Sequence, residues 1–582
     1  MKKSEDKKAI SSIGITAILV ISVFVILAFA GTASAAEVIN VNTTGFTNST
    51  GFHPCSPPIQ CAINSATAGD TINVAAGTYS PTSTIVINKN GLVLQGPQAG
   101  VDPRPSYGST RTTGSASEAI IDGSAAGLGM IIKIDADNVV INGLEVKSGT
   151  KDMIKQENSH SGTTIKYCII HDGRGDEGVQ LKKCTNGVLE YNYVFEIADK
   201  GDGLNIADTS SNGVIRHNEV CGIHGENAAI YIYDATDMEI SDNLVYGPGG
   251  NDGIKVGDKG GDDAAKTGVL VKDNVIHGMP QDGITVYMSG VTVEENEVYN
   301  CGSENGAIYV AWAVNDITIT RNNVHDNTLD TVKWGNPGAI MIGTAVNVAT
   351  IKVNYNNIYG NTPNGVTNKA TGVLDATNNW WGNASGPYHE TLNPSGTGDA
   401  ASDNVDFEPW WLEKDGTNTE ETESEKITDG GTMEDTPTGG DVTIDATGNH
   451  TITTAKYAEN PGGEPTFQAT GDYWDVHLDN ASNVTNVTIE FCPADPGDTI
   501  YYWNATSNSW KPCSNQTYAD ECITVTITGD TEPSLDDLAG QEFARGRQGA
   551  PEQVPEYNIF GLAALIGILS VVLAVATLRK RG

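Results

Sequence analysis

Between Ile141 and Asn378 the apolar and polar positions fall into one short recurring pattern: apolar, two other residues, Asn, one residue, apolar. It reads Leu189…Asn192…Val194, Ile215…Asn218…Val220, Ile240…Asn243…Val245 and Val271…Asn274…Ile276. Val293…Asn296…Val298, Ile319…Asn322…Val324 and Val353…Asn356…Ile358 continue it. Two earlier copies, Ile165…Cys168…Ile170 and Ile141…Leu144…Val146, keep the apolar frame with Cys or Leu in the Asn place. Between the copies lies a second pattern, a small residue followed by two apolar residues spaced by one. Gly203-Leu-Asn-Ile206, Ala229-Ile-Tyr-Ile232, Gly253-Ile-Lys-Val256, Gly283-Ile-Thr-Val286, Ala307-Ile-Tyr-Val310 and Ala339-Ile-Met-Ile342 carry it. Alternation of period two over Ile- and Val-rich segments predicts short strands with one buried face. Such strands cannot bury a face alone, but rungs coiled about a shared axis can. The Asn-to-Asn steps are 26, 25, 31, 22, 26 and 34 residues. The pattern therefore predicts an all-β chain built on a right-handed parallel β-helix, with about ten rungs over 120–380. Asn tolerates left-handed turn dihedrals. Stacked about 4.8 Å apart, the amides are expected to form one inward ladder.

The chain opens with basic Met1-Lys2-Lys3, an apolar run from Ile15 to Ala30 and the small-residue site Ala33-Ser34-Ala35. This reads as a signal peptide over 1–35. Val38 to Tyr79 reads as a cap on the open end of the solenoid, with a short amphipathic helix after Pro57-Pro58. The Gly-, Pro- and Ser-rich stretch 96–118 reads as a loop thrown out from an early rung.

Ile59-Gln-Cys-Ala-Ile63-Asn-Ser-Ala66 followed by Gly69-Asp-Thr-Ile-Asn-Val74 and Gly77-Thr-Tyr79 resembles the start of secreted pectin-lyase-like β-helix proteins. Asn378-Asn-Trp-Trp381-Gly and Asp403-Asn-Val-Asp-Phe407-Glu-Pro-Trp410 resemble the terminal rung and cap of bacterial and archaeal surface β-helix proteins. The resemblance implies a β-helix with both caps over 36–412. It leaves function open, because this fold carries lyases, hydrolases, epimerases and inert spikes alike.

Beyond Trp411 the composition changes. Residues 413–438 are acidic and Thr/Glu-rich and read as a self-repelling linker. Alternation resumes over 439–530 and predicts a small β-sandwich, followed by a stalk over 531–557. The uncharged run Ile559 to Leu578, followed by Arg579-Lys580-Arg581, predicts a transmembrane helix over 558–578 with a basic cytoplasmic tail at 579–582. Val554-Pro-Glu-Tyr557 before the span resembles the tripartite tails handled by sortase-like transpeptidases. The resemblance implies an alternative in which the span is cleaved and a lipid replaces it. Either way the expected place is the cell surface, exported and anchored at the carboxyl end.

Asp+Glu 73 against Lys+Arg 34 gives a net charge of −39, which opposes binding to nucleic acid. The nine cysteines are too few for a disulfide scaffold. Cys55 with Cys61, and Cys513 with Cys522, are near enough in sequence to bridge; Cys168 and Cys184 are expected to fill the coil. Asn449, Asn480, Asn483, Asn486, Asn504 and Asn515 lie in sequons and suggest a glycosylated spacer.

The candidate chemistry sits on the second pattern. Asp202, Asp252 and Asp282 precede the small residue, and Lys255, Tyr231, Tyr233, Tyr287, Tyr309 and Trp312 occupy outward positions. Rings offer flat platforms to sugars, and carboxylates with Lys bind hydroxyls or uronates. Asp before Gly is equally an ordinary turn choice. Asp258, Asp262 and Asp263 are candidate calcium ligands in the loop that lengthens one repeat; no cofactor is otherwise required. His217, His224, His277 and His325 lack partners at metal spacing. Two functions follow. One is a non-catalytic surface protein that binds polysaccharide or envelope-layer proteins. The other is a tethered polysaccharide lyase or epimerase using Lys255 near Asp202, Asp252 and Asp282. The scarcity of basic residues beside the acids favours binding.

Overall fold

The computed structural model describes residues 36–547, apart from 199, 225–227, 248–251, 258–266, 303–304, 331–335, 395, 409, 417–418, 458–459, 461–464, 479–480, 505–506 and 508. Residues 37–412 coil into three parallel sheets, here I, II and III. One turn of the coil contributes Val188–Glu190 to sheet I, Tyr193–Ile197 to sheet II and Leu204–Ala207 to sheet III. Sheets II and III each hold 11 strands, and sheet I holds 16. Sheet I is longer because it takes in the cap strands Val38–Asn42, Gly45–Asn48 and Gly51–Pro54 at one end and Leu374–Asp375 and Val405–Asp406 at the other. The register is in phase from rung to rung: Leu189 faces Ile215, Val194 faces Val220, and Ile206 faces Ile232. These apolar residues are fully buried, so the interior is a set of Ile, Val and Leu stacks. Each such side chain contributes about 1.5–3 kcal/mol on burial.

Both ends are closed. The helix Pro58–Ser65 turns Ile59, Ala62 and Ile63 onto the first rungs. At the far end Trp381, Phe407 and Trp410 are buried, and the Trp410 indole donates to the Ala384 carbonyl at 3.0 Å. The loop 96–118 lies along several rungs. Ser106 donates to Glu219, Gly114 to Glu145, and Arg111 to both the Glu118 carboxylate and the Tyr167 carbonyl.

The asparagine ladder forms as the pattern requires. Each Nδ2 of Asn192, Asn218, Asn243, Asn274, Asn296 and Asn322 donates to Oδ1 of the Asn on the next rung, at 2.9–3.0 Å. The backbone N–H of each donates to the same oxygen. Asn356 extends the ladder to Asn379. The second amide proton reaches a strand carbonyl one rung back, as from Asn243 to Ile215. One expectation is corrected here. The left-handed residue of the turn is the one before the Asn: Tyr191, His217, Asp242, Asp273, Glu295, Arg321 and Tyr355 have φ between 52° and 64°. Asn is selected for its amide, which uses donors and acceptor together. The strain of a non-glycine left-handed residue, about 1 kcal/mol each, is held by that bonded amide.

The sandwich is larger than the alternation suggests. The linker expected over 413–438 gives way at Thr419 to the strand Thr419–Thr428, which pairs with Asn449–Tyr457 at a sheet edge. Alternating Thr and charged residues suit an edge strand, where charge guards the open hydrogen-bonding row. The stalk expected over 531–557 likewise contains a strand, Ala539–Arg547, set between Gln468–Leu478 and Thr499–Asn504. Phe543 anchors it in the core between the sheets, and Ala544 is buried on the opposite face with Tyr473 and Tyr501. A six-stranded and a five-stranded sheet result, with Ile444, Val476, Ile489, Phe491, Val525 and Phe543 in the core between them.

Cys55 is bonded to Cys61. The second pairing differs from expectation, because Cys522 bonds Cys492 and Cys513 remains a buried thiol. The register explains it: Phe491 faces Ile523 in an antiparallel pair, so the adjoining residues 492 and 522 meet at the strand ends. Among the described residues no helix is long and apolar enough to cross a membrane. The leader 1–35, the apolar run 558–578 and the calcium candidates Asp258, Asp262 and Asp263 lie outside the described residues.

Candidate functional site

Sheet III carries the candidate residues in two outward rows and one buried row. The first outward row runs Lys133, Lys155, Gln180, Asn205, Tyr231, Lys255, Thr285, Tyr309 and Met341 along the register. The second runs Lys182, Ala207, Tyr233, Gly257 and Tyr287. Lys255 stands at the centre of a ring cluster: its Nζ is 5.6 Å from the Tyr231 ring and 5.4 Å from the Tyr287 ring. Tyr287 stacks on Trp312 at 4.6 Å and meets Tyr309 edge-on at 6.0 Å. Tyr231 and Tyr233 lie 5.5 Å apart, tilted by 50°. Gly257 leaves a notch in the second row, since a Cβ there would stand 3.6 Å from both the Tyr231 hydroxyl and Tyr287 Cβ. Trp312 remains 45% exposed. All five rings named from the sequence thus fall on one face.

The acidic residues form the buried row. Asp202 accepts from the Ala228 backbone N–H, and Asp282 from those of Asn305 and Gly306. These two aspartates therefore fasten one rung to the next, the turn role that Asp before Gly suggests. Asp252 is different. It lies 3.7 Å from Lys255, and its acidity is weakened to about 7, first by burial and then by the nearby Asp282 charge. The structure brings Lys255, Asp252 and Asp282 together but not Asp202. Ala228 faces Asp252 in the register, on the rung between Asp202 and Asp252, so those carboxylates are two rungs apart, about 9.6 Å along the axis.

Several residues were not singled out from the sequence. Lys133 and Lys155 share the row of Lys255, so the basic supply is larger than the sequence suggested. Ile132-Lys-Ile134 fits the apolar spacing and gave the signal. Ile154-Lys-Gln156 hides it, because Gln156 is turned inward to bond Thr163 and backbone carbonyls. Asp152 and Glu177 extend the buried acidic row toward the amino end, and carboxylate oxygens of Asp152, Asp176 and Glu177 lie within 4.8 Å of one another. Of the sequons, Asn449, Asn483 and Asn515 are exposed, Asn486 and Asn504 are half-buried, and Asn480 lies outside the described residues.

Several solved structures are similar to this chain. The Dettilon tailspike protein is 15% identical, with 84% of this chain and 89% of that one covered and a TM-score of 0.40. The Azotobacter vinelandii mannuronan C-5 epimerase AlgE4 A-module is 14% identical over 61% of this chain and 95% of that one, with a TM-score of 0.43. Pectate lyase Pel9A is 13% identical over 55% and 79%, with a TM-score of 0.35. None of the curated proteins matches the sequence. The family described as "Right handed beta helix region" matches residues 118–262 and 220–380. Over 118–380, then, this chain carries the right-handed β-helix repeat of that family.

Proposed function

We propose that the outer face of sheet III binds a polysaccharide, and that the chain is a non-catalytic β-helix protein held outside the cell by its carboxyl-terminal apolar segment. The glycan reading is carried by the splayed arrangement of Tyr231, Tyr233, Tyr287, Tyr309 and Trp312 about Lys255. Rings tilted about Lys255, Gly257 and Thr285, with Trp312 45% exposed at one end, offer apolar surface to the CH face of a sugar ring. The Lys255 ammonium and Asp252 beside them offer a donor and an acceptor to hydroxyls or a uronate carboxylate. The signal-like leader, the apolar span with its basic end and the sequon-rich sandwich support placement at the envelope on a glycosylated spacer.

A tethered lyase or epimerase is the second reading, favoured by the Lys255–Asp252 contact. Proton abstraction from a uronate needs a base at that position. Lys255, set between two rings and beside Asp252, suits binding better than abstraction.

The test is retention of the protein on an immobilised polyuronate and on a neutral glucan, run beside ultraviolet absorbance of the same mixtures. Binding predicts retention, a flat trace, and loss of retention when Tyr287 and Trp312 are both changed to Ala. A rising absorbance that Lys255→Ala abolishes would replace this reading with elimination. Placement is tested separately: deletion of 558–582 should send the protein into the medium, and a truncated chain still on the envelope would refute anchoring by that segment.

A further inference from the structure

The six-stranded sheet of the sandwich is buried on both faces. Trp474, Val476 and Phe543 lie in the core between the sheets, so alternation turns Asp475, Ala455 and Glu542 to the other face. That face is covered where the β-helix ends. Ala455 is fully buried in the same apolar cluster as Trp410 and Leu412. Lys426, on the edge strand of the same sheet, donates to the Thr391 carbonyl of the far cap at 3.0 Å. Glu413 follows Leu412 in the chain, and its charge acts on both Asp475 and Glu542. The joint between β-helix and sandwich is thus closely packed, and acids stand inside it.

In the register Asp475 has Ala455 on one side and Glu542 on the other. It is only 4% exposed; Oδ2 accepts from the Tyr457 hydroxyl at 3.1 Å, and Oδ1 is buried with no hydrogen-bond partner. His477 shares this face two residues on, whereas Lys456 is turned to the other by alternation. The charges acting on Asp475 are those of Glu542 and Glu413, both negative. A buried carboxyl in such company is costly to ionise. Burial, then Glu542 and Glu413, push Asp475 up from 3.8 to about 8, and burial, then Glu413, raise Glu542.

We infer that this joint is a pH-operated contact, in which the sandwich stays seated on the end of the β-helix while Asp475 and Glu542 hold protons and is released as they ionise. Release opens the face to water and returns each carboxyl toward its ordinary value. Between 3.8 and about 8 the seated form therefore keeps a proton on Asp475 that the released form has lost. Seating is favoured most below that window and weakens about tenfold per pH unit, for one proton, as pH rises through it. Nothing in this depends on the glycan reading, since the joint and the rings of sheet III are separate.

The test uses the full chain. Its radius of gyration is followed by small-angle scattering, and its secondary structure by circular dichroism, from about pH 6 to about pH 9. Proteolysis after Lys414, which donates to the Tyr359 hydroxyl at 3.1 Å, is followed in parallel and corrected for the rate on a free peptide. In the unmodified chain cleavage should rise about tenfold per pH unit up to about 8 and the radius should grow, with circular dichroism unchanged. Asp475→Asn keeps a neutral group at the joint at every pH and should flatten both responses. Glu542→Gln, at a half-buried position, should weaken them, and carries the same test should Asp475→Asn not fold. An unmodified chain with constant radius and cleavage would overturn the proposal, as would variants that open with its pH dependence. Opening accompanied by loss of strand signal would overturn it too, by placing the ionisation within the sandwich instead of at the joint.

Discussion

On sheet II, Tyr246, His277, Tyr299, His325 and Tyr359 occupy one outward row, and neighbouring rings lie 4.9–5.4 Å apart and within 17° of parallel. On sheet III the rings of Tyr231, Tyr233, Tyr287, Tyr309 and Trp312 are interrupted by Lys255, Gly257 and Thr285, and meet at angles from 12° to 83°. The same side-chain chemistry on the same scaffold thus has two outcomes. A rung spacing near 4.8 Å is close to the stacking distance of flat rings, so an unbroken aromatic row spends its faces on itself and shows only edges. Interruption by a cation, a glycine and a threonine instead tilts the rings of sheet III against one another. On the glycan reading proposed above, an aromatic row on a β-helix binds only where the register breaks it.

The largest expected effect falls on the scaffold that both faces share. Asn243→Leu removes the amide that links Asn218 to Asn274 and should cost about 1–3 kcal/mol, read as a lower denaturation midpoint. An unchanged midpoint would mean that the ladder does not hold the rungs in phase. Next in size, Tyr287→Ala with Trp312→Ala should weaken polysaccharide retention more than tenfold in a chain that stays folded, while Tyr299→Ala with His325→Ala should leave retention intact. Equal losses from the two pairs would erase the distinction between the faces. Third, Tyr299→Ala alone should lower stability by about 1–3 kcal/mol, since it removes two stacked contacts of about 0.5–1.5 kcal/mol each. A loss no larger than that at an isolated surface tyrosine would show that the row is not cohesive.

The last comparison is of pH, where the two faces should have opposite signs. His277 is held below its ordinary value of 6.5 by burial, so the unfolded chain binds more protons just below that pH. Its contribution is present above pH 6.5 and is lost as pH falls through the lowered value. Asp252 is raised from 3.8 to about 7, so the folded chain holds the extra proton between those values. Its contribution is present below pH 3.8 and is lost as pH rises through about 7. Stability against pH should therefore flatten on the acid side in His277→Gln and on the neutral side in Asp252→Asn. Parallel curves for each variant and the unmodified chain would contradict the assignment.

Much of the fold was legible because it is written in period two and in one repeated amide. Asn192 to Asn356 could be aligned by eye, and Ile59 with Trp381 marked the caps. The sandwich edges were less legible. The strand Thr419–Thr428 has few apolar residues to mark a buried face, and Ala539–Arg547 contains Gly540 and Gly546, which weaken the signal of a central strand. Disulfide partners were misjudged because proximity in sequence favoured Cys513, whereas pairing follows strand register, which joins Cys492 to Cys522. On sheet III the rings were found by alternation. What the sequence could not show was burial: Asp202 and Asp252 stand in similar motifs, and the acidity of Asp252 is altered by burial and by the Asp282 charge on the next rung.

The amide ladder also sets how such a chain can change in length. Its bonds stay at 2.9–3.0 Å whether the rung between two asparagines holds 22, 25, 31 or 34 residues. The surplus is taken up in turns away from the ladder, so a rung can gain or lose residues there without disturbing its neighbours. Loop length and rung number are independent variables. A lineage carrying this coil can lengthen it by whole rungs, or enlarge a single rung, without repacking the interior.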